Sequence, residues 1–291
     1  MTPRLLIPSV GGKSDLVRLL GDAVRTRGGQ LFGSDLNDAA PALAWLDRRL
    51  DLPGFDDPRF WAAVRAAVLE HRITGVVPVR DAELAGWAAQ AEAGVLDLRV
   101  LTSPAQTLRT CIDKRLLYQA AEAAGIACPA WRVREPDGRL TGLRFPVILK
   151  PVFGSGSRDT CVVDRSGDLP VGADGSRTLR LVQEFKSGPE YSVDCFAERD
   201  GVLRACFVRE RTLVAFGQSI AGTAVDDPEL VALCHSMARA LPFRGVVNFQ
   251  FIRDADGAWL IDLNPRFPGG IAITEAAGFP LCEWTVQALA D

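Results

Sequence analysis

The sequence predicts an α/β fold followed by an α+β fold, in which a small, open, parallel sheet precedes a mostly antiparallel sheet with a mobile lid. Strand-like and helix-like patterns alternate over the first hundred residues, which indicates parallel βα units. The second half carries short apolar runs between glycine-containing turns, which indicates antiparallel hairpins. We therefore place one domain at residues 1–102 and a second at residues 103–291, with the lid over about residues 128–183.

The composition bounds the functional class. The chain has 291 residues, is 48% hydrophobic and carries a net charge of −3, so it has no basic excess to neutralise nucleic acid. No apolar run reaches the roughly 20 residues of a membrane span, and the N-terminal run is too short for a signal peptide. The seven cysteines form no C-x-x-C pair, which fits a reducing cytoplasm and disfavours a zinc site. We expect a cytoplasmic protein without nucleic-acid or membrane partners, with a homodimer as the common default.

The first domain opens with a strand, a glycine turn and a helix. Residues 4–8 form a short apolar run, a glycine pair follows, and leucines then recur at helical spacing. Residues 12–14 (GKS) match the end of a P-loop, but Ile7 stands where that motif needs a glycine. The dinucleotide fingerprint is also missing, so a nicotinamide oxidoreductase is a distant alternative. Further elements are predicted as strands at residues 30–33 and 73–79, and as helices at residues 58–71 and 81–93.

Charged residues follow the predicted strands, where ligands of open parallel sheets bind. Arg80, Asp81 and Glu83 fall at the end of one such strand, and Arg209 and Arg211 end a later one. Arginines suit a carboxylate and acids suit an ammonium group, so these residues are our candidates for the substrate pocket. The competing interpretation is that they are helix caps or solvated turn residues.

A linker at residues 101–104 leads into two predicted helices. Ser103 is expected to cap the first, with Pro104 at its first position. The second helix covers about residues 112–124 and opens with Asp113 and Lys114. On its own, Lys114 is most simply interpreted as a solvated surface charge.

A phosphate-binding pattern lies at residues 145–158. A short apolar strand ends in Lys150, and a loop follows that contains the glycines and serines Gly154, Ser155, Gly156 and Ser157. Glycines bring backbone N–H groups close to an anion, and the lysine adds a point charge. An ordinary hairpin loop is the alternative.

Residues 245–270 predict a β-hairpin with a polar face. Because side chains alternate along a strand, pairing the two runs would bring Gln250, Asp262 and Asn264 onto one face. Their amide and carboxylate oxygens suit Mg²⁺ held together with phosphate oxygens. The alternative is an edge hairpin with a solvated face. The remaining apolar side chains are expected to share the opposite faces, as Val247, Phe249 and Phe251 on one strand and Trp259, Ile261 and Leu263 on the other.

Two glutamates flank a strand break between these motifs. Glu184 lies at the end of one strand and Glu190 at the start of the next. A carboxylate there can accept hydrogen bonds from ribose hydroxyls or an exocyclic amine, although a pair of solvated edge charges is equally compatible with the pattern.

The order of these motifs resembles the ATP-grasp superfamily, specifically ligases similar to the ATP-binding halves of the carbamoyl-phosphate synthase large chain. The resemblance covers nearly the whole chain and implies a pre-ATP-grasp domain followed by an ATP-grasp fold. It implies nucleotide contacts by Lys114, by Lys150, by the lid loop Gly154, Ser155, Gly156 and Ser157, by the adenine linker Glu184, Phe185 and Lys186, and by the ribose carboxylate Glu190. It also implies Mg²⁺ ligation by Gln250, Asp262 and Asn264.

The resemblance further implies the chemistry. Arg266 matches the arginine at the reacting phosphate, and we place it with Lys150 and Arg211 as the catalytic cations. The family usually has glutamate where this chain has Asp262, so two Mg²⁺ ions, which Mn²⁺ can replace, are expected to rely heavily on ATP oxygens. The implied activity is a carboxylate–amine ligase that works through an acyl phosphate, with small carboxylate and amine substrates such as amino acids. A phosphotransferase and a non-catalytic ATP-binding subunit are the alternatives.

Overall fold

The structure is a computed structural model, and it describes residues 1–94, 98–134, 142–154, 159–166, 179–215 and 217–290. Within these ranges the chain forms three sheets and eight α-helices. No helix in them combines the length and the apolar character that a bilayer crossing demands.

The first sheet is parallel throughout and lies in the N-terminal third of the chain. Its strands are β1 (Arg4–Ile7), β2 (Gln30–Gly33), β3 (Arg48–Arg49), β4 (Gly75–Val76) and β5 (Arg99–Val100). They are arranged in the order β3-β2-β1-β4-β5. The α-helices of this region are α1 (Ser14–Thr26), α2 (Phe60–His71) and α3 (Asp81–Glu92), and a short 3-10 helix covers Pro41–Trp45. Leu5, Leu6 and Ile7 are fully buried, as expected for a parallel strand.

The predicted strand over residues 73–79 is shorter in the structure. β4 pairs with β1 only through Gly75 and Val76, and the Val77 N–H adds one hydrogen bond to the Leu6 carbonyl at 2.9 Å. Pro78 then ends the ladder because proline has no N–H to donate.

Two antiparallel sheets follow. The smaller one contains β6 (Trp131–Val133), β7 (Val147–Pro151), β8 (Cys161–Val163) and β9 (Arg180–Glu184), in the order β6-β9-β7-β8. The larger one contains β10 (Glu190–Ala197), β11 (Leu203–Ala215), β12 (Gln218–Ala224), β13 (Gly245–Asp254) and β14 (Gly257–Asn264), in the order β12-β11-β10-β13-β14. The predicted fold class, a small open parallel sheet followed by mostly antiparallel sheet, is confirmed.

Five helices complete this part of the chain: α4 (Ala105–Ile112), α5 (Lys114–Ala123), α6 (Pro228–Ala240), α7 (Ile271–Ala276) and α8 (Leu281–Ala290). Asp113 caps α5, where its side chain accepts a hydrogen bond from the Arg115 N–H. The predicted cap of α4 by Ser103 is wrong, because that hydroxyl instead accepts from the distant Arg244 N–H at 3.1 Å.

One apolar cluster joins the N-terminal sheet to the end of the chain. It contains Ile7 and Leu20 from the first sheet and its helix, together with Phe267 from the segment after β14 and Val286 from α8. Burial of apolar surface between the two regions therefore fixes the carboxyl ends of the parallel strands opposite the hairpin β13–β14.

The hairpin departs from strict alternation at one residue. Gln250 pairs with Asp262, but Phe251 pairs with Leu260, so Ile261 is the extra residue of a β-bulge. As a result Leu260 and Leu263 both lie in the core, and the predicted common face of Trp259, Ile261 and Leu263 is wrong. The bulge leaves the Ile261 carbonyl free of the ladder and available to side chains of the site.

Candidate active site

Two cavities meet at the hairpin β13–β14. The larger has a volume of about 1640 Å³ and lies between the carboxyl ends of the parallel strands and the polar end of the hairpin. The smaller has a volume of about 810 Å³ and lies between the small antiparallel sheet and the turn end of the hairpin. The smaller volume falls within the range of about 300–1,000 Å³ that is usual for small-molecule sites, and the larger one exceeds it.

Strand β14 contributes to both cavities. Trp259 lines the smaller cavity, and Asp262 and Asn264 line the larger one. Trp259 and Asp262 are three residues apart, which corresponds to about 10 Å along a strand. A ligand with a flat base at one end and charged groups at the other would therefore lie along this strand.

The predicted metal ligands come together at the polar end of the hairpin. Gln250 stands directly opposite Asp262, and Asn248 stands directly opposite Asn264. The Asn264 amide nitrogen donates to Asp262 Oδ2 at 3.3 Å, and the Gln250 amide nitrogen donates to Asn248 Oδ1 at 3.2 Å. These side chains supply hard oxygen donors, which fit Mg²⁺.

Asn248 is a site residue that the sequence analysis missed. The available signal was its spacing, because it lies two residues before Gln250 on the same face of β13. In the part of the chain that the structure describes, no group of three or more His, Cys, Asp or Glu side chains could hold a metal. A metal at Asp262 would therefore depend on amide oxygens and on phosphate oxygens of the nucleotide.

A buried network fixes the orientation of Asn248. Its amide nitrogen donates to Asp194 Oδ1 at 2.6 Å, and Asp194 also accepts from Arg209 Nε at 3.0 Å and from the Thr274 hydroxyl at 2.5 Å. Because a carboxylate accepts only, the NH₂ of Asn248 must face Asp194, which directs its carbonyl oxygen away from that carboxylate.

The structure does not support the prediction that Arg209 contacts a substrate. The Arg209 side chain is 1% exposed and forms a buried ion pair with Asp194. A β-carbon at Gly270 would lie 2.9 Å from Arg209 Nη2, so a side chain at this position would press on the guanidinium. Arg209 therefore lines neither of the two cavities and supports the site through Asp194.

Lys114 and Lys150 both lie near the charge of Asp262. Lys114 Nζ donates to the Gly154 carbonyl at 2.7 Å and lies 3.9 Å from Asp262 Oδ1. Lys150 Nζ donates to the Tyr118 hydroxyl at 2.6 Å and to Gln183 Oε1 at 2.7 Å. The remaining predicted loop residues Ser155, Gly156 and Ser157 lie outside the described residues.

The surroundings of Lys150 favour the uncharged form of its amine. Burial, with the nearby charge of Lys114, lowers the pKa of Lys150 to about 7, against the opposing effect of Asp262. In the nucleotide-free protein, Lys150 is therefore charged below pH 7 and loses its charge as the pH rises through that value.

We expect kcat/KM for ATP to fall as the pH rises through about 7, because kcat/KM reports the ionisations of the free protein. Lys150→Arg is the matched control, since arginine stays charged throughout this range and should abolish the fall. The measurement is the initial rate at limiting ATP between pH 6 and pH 9. A profile that is the same in the wild type and in Lys150→Arg would show that Lys150 is not the titrating group.

The predicted adenine linker lies at the smaller cavity. Glu184 and Lys186 line it, and the Glu184 carboxylate accepts from the Arg144 N–H at 2.9 Å. The Phe185 side chain is exposed, and its N–H donates to the Pro146 carbonyl at 3.0 Å. Lys186 Nζ lies 3.6 Å above the Trp259 ring, a cation–π contact that stiffens the cavity wall.

Glu190 and Arg211 form a pair next to the metal-ligand candidates. Arg211 Nη1 donates to Glu190 Oε2 at 2.8 Å and lies 3.4 Å from Gln250 Oε1. Its other nitrogens donate to the Ser219 hydroxyl and to the Gly217 carbonyl. Arg211 is thus positioned by four acceptors, and it connects the predicted ribose carboxylate to Gln250.

Arg266 and Asp81 bridge the two walls of the larger cavity. Arg266 donates to both carboxylate oxygens of Asp81, at 2.5 and 2.8 Å, and its Nη2 also donates to Asn264 Oδ1 at 3.1 Å. This bidentate pair joins the start of α3 to the end of β14, so two residues predicted separately for the site are in direct contact.

The other candidates on this wall divide into one exposed and one buried residue. The Arg80 side chain is 57% exposed and lines the larger cavity. Glu83 is fully buried, and its Oε1 accepts from the Ser9 hydroxyl at 2.6 Å. Glu83 therefore holds the loop after β1 in place. Its burial does not support the prediction that it contacts a substrate.

Lys13 is a second residue that the sequence analysis missed. It lines the larger cavity, and burial together with the charge of Arg266 lowers its pKa. The sequence analysis considered it only as part of an incomplete P-loop.

Comparisons with known proteins support the fold. A family model described as "ATP-grasp in the biosynthetic pathway with Ter operon" matches residues 177–291, and one described as "PylC-like, N-terminal domain" matches residues 5–96. The arginine-specific large chain of carbamoyl phosphate synthase from Bacillus subtilis is 22% identical over 211 residues, which are 66% of this chain and 20% of that protein. The chain thus spans about a fifth of the length of that relative.

Solved structures share the fold over nearly the whole chain. The L-amino acid ligase from Bacillus licheniformis is 20% identical with a TM-score of 0.78, and the match covers 99% of this chain and 74% of that one. The biotin carboxylase domain dimer of the 2-oxoglutarate carboxylase from Hydrogenobacter thermophilus, in complex with MgADP, ADP and bicarbonate, is 15% identical. That match has a TM-score of 0.78 and covers 99% of this chain and 69% of the other.

Proposed function

Because this chain belongs to the ATP-grasp superfamily, we propose that it is an ATP- and Mg²⁺-dependent carboxylate–amine ligase that forms an amide or peptide-type bond and releases ADP and phosphate. The observation that carries the proposal is the position of β14, which runs from the smaller cavity at Trp259 to the larger one at Asp262 and Asn264. The adenine of ATP would occupy the smaller cavity, and its phosphates would reach the polar end of the hairpin.

The reaction follows from the charges at that end. A carboxylate does not react with an amine at neutral pH because its leaving group is too poor. Transfer of the γ-phosphoryl group to the carboxylate gives an acyl phosphate, and attack by the amine then expels phosphate. Such a transfer requires positioning and charge stabilisation, for which Lys114, Lys150 and Arg266 are the candidate cations.

Mg²⁺, when bound with ATP, would screen the charge of the phosphate oxygens. Asp262, Asn264, Gln250 and Asn248 would hold it, and their donor set fits a hard cation. Asp262 brings one carboxylate, so the proposed site holds metal together with the nucleotide and only weakly without it.

The substrates are proposed to be amino acids or similar small molecules with a carboxylate or an amine. The larger cavity has walls of both charges, with Asp81 and Arg80 on one side and Arg266 on the other. The likeness to an L-amino acid ligase favours the same substrate class.

The proposal is tested by coupling ADP release to hydroxylamine trapping of the acyl phosphate across the twenty L-amino acids, singly and in pairs. We expect hydroxamate formation that depends on ATP, on Mg²⁺ and on at least one carboxylate. A phosphorylated product that resists hydroxylamine would favour a phosphotransferase, and release of AMP with pyrophosphate would exclude the ligase.

Arg266→Lys is expected to lower kcat by about 100-fold, because a lysine keeps the charge but loses the planar fork that contacts both Asp81 and Asn264. The KM for ATP should change by less than about tenfold, since the nucleotide contacts lie elsewhere. Arg18→Lys makes the same exchange at an exposed position on α1 that lines neither cavity, so it is the matched control and should retain activity. Steady-state kinetics would contradict the assignment if both variants lost activity equally.

A further inference from the structure

The cations around the larger cavity are matched to acids, with one exception among the described residues. Arg266 and Arg80 line the cavity and lie within 3.4 Å of the carboxylates of Asp81 and Glu83, respectively. Lys114 lies next to the cavity, 3.9 Å from the carboxylate of Asp262, which lines it. Lys13 lines the same cavity, where the charges of Asp81 and Glu83 act on it, but its ammonium forms no hydrogen bond or ion pair in the described ranges. A half-buried cation without a partner pays a desolvation cost that an anionic ligand would offset.

Lysines are rare in this chain, which makes the position of Lys13 in the cavity more informative. The 33 basic residues comprise 29 arginines and only four lysines. Three of the four lysines are Lys114, Lys150 and Lys186, and all three lie at the proposed nucleotide site. The fourth is Lys13, which lies in the adjoining cavity and not on the outer surface.

The loop after β1 holds Lys13 at the cavity wall. Gly11 adopts a positive φ of 51°, and its N–H donates to Asp35 Oδ2 at 2.6 Å. The Lys13 N–H donates to the Val10 carbonyl at 3.1 Å, which closes the turn. The backbone is thus fixed by hydrogen bonds, while the lysine side chain remains available to a ligand.

We infer that Lys13 binds a carboxylate of the non-nucleotide substrate at the wall of the larger cavity formed by the N-terminal sheet. The inference rests on the proposed function for the identity of that substrate. An ammonium is a point charge that accepts a carboxylate in several orientations, which suits a group that must be held but does not react. Arg266, which is committed to Asp81 and Asn264, would remain at the reacting end.

Competitive acetylation of the four lysines tests the inference against a panel of candidate carboxylates. The protein is treated with a limiting amount of acetic anhydride, and modification of each lysine is measured by peptide mass spectrometry. The arms are the free protein, the protein with Mg²⁺ and a nonhydrolysable ATP analogue, and the latter with each of the twenty L-amino acids, succinate or inorganic phosphate. Each protecting amino acid is then compared with its carboxamide, which has nearly the same shape without the charge.

We expect the nucleotide analogue to protect Lys114 and Lys186 and to leave Lys13 reactive. At least one carboxylate should then slow acetylation of Lys13 by about tenfold, and its carboxamide should not. Protection of Lys13 by the nucleotide analogue alone, protection by phosphate but by no carboxylate, or no protection by any probe would each overturn the inference. If Lys114 and Lys186 stay reactive with the analogue present, the proposed nucleotide site is wrong. Protection of Lys13 by a carboxylate would still support the inference about Lys13 in that case.

Two variants extend the test to turnover. Lys13→Ala should raise the KM of the protecting carboxylate by about tenfold or more while the KM for ATP stays within a few-fold. Lys13→Arg should recover part of that loss because it keeps the charge. Equal increases in both KM values, or no recovery by Lys13→Arg, would assign Lys13 a structural role.

Discussion

Asp262→Asn is expected to lower turnover by at least about 100-fold while the Kd for a nonhydrolysable ATP analogue rises by less than about tenfold. Asp262 is the carboxylate at the polar end of the hairpin, where Gln250 faces it and Asn264 contacts it. Asparagine keeps the size and one oxygen but removes the charge that a divalent cation requires most. The proposed adenine end of the nucleotide would lie about 10 Å away along β14, so most of the binding contacts should survive.

The measurement pairs single-turnover kinetics with calorimetric titration of the analogue at several Mg²⁺ concentrations. Asp200→Asn is a suitable control, because Asp200 lies in the exposed turn after β10 and accepts only the Val202 N–H there. Turnover of Asp262→Asn within a few-fold of the wild type would show that the metal assignment is wrong.

Asp262→Glu is the companion variant, since it restores the glutamate that the resemblance to the superfamily leads one to expect. We expect it to retain substantial turnover and to change the Mg²⁺ concentration at half-maximal rate, because the added methylene moves the carboxylate farther from the backbone of β14. An unchanged Mg²⁺ dependence would show that the shorter side chain is merely tolerated.

The hairpin shows how far sequence reasoning reaches. The alternation of polar and apolar residues was enough to place Gln250, Asp262 and Asn264 on one face, and the register brings Gln250 and Asp262 directly opposite each other. The bulge at Ile261 was not predictable, because an extra residue in one strand leaves no local signature in an apolar run. Its consequence is large, since the Ile261 carbonyl accepts the Tyr118 hydroxyl at 2.7 Å and lies 3.5 Å from Lys150 Nζ.

Contacts between residues that are far apart in the sequence are the second limit of sequence reasoning. Arg266 and Asp81 are 185 residues apart in sequence, and they meet because Val79 and Phe267, close to each of them in the chain, are buried in one apolar cluster. The sequence analysis missed Lys13 for the same reason, because a turn at the end of a strand becomes a cavity wall only when another element faces it. The periodicity of apolar residues can locate the end of a strand, but it does not specify which other element packs opposite that end.

Arg209 illustrates a third limit, in which the right residue type suggests the wrong role. An arginine at the predicted end of a strand near a ligand site looks like a substrate contact. Its burial depends on Asp194, which lies one strand away on β10 and pairs in register with Phe207, whereas the register partner of Arg209 is Ser192. The ion pair is therefore diagonal across two strands, and no spacing along either strand reveals it.

Arg209→Met is expected to lower the free energy of unfolding by about 3–5 kcal/mol, because it leaves the buried Asp194 carboxylate without its cation. The hydrogen bonds from Asn248 and Thr274 remain, but neither supplies a charge. Urea denaturation measures the loss, provided that the slope with denaturant concentration is unchanged. Arg18→Met is the control, since Arg18 forms only an exposed pair with Asp22 and its loss should cost at most about 1 kcal/mol.

The double variant Arg209→Met, Asp194→Asn separates stability from orientation of the site. Neutralising both partners removes the uncompensated charge, so much of the lost stability should return. The asparagine at position 194 no longer forces the NH₂ of Asn248 toward it, because an amide both donates and accepts. We therefore expect the double variant to be more stable than Arg209→Met and still to need more Mg²⁺ than the wild type for half-maximal turnover. Recovery of stability together with a wild-type Mg²⁺ dependence would show that Asn248 is not oriented by Asp194.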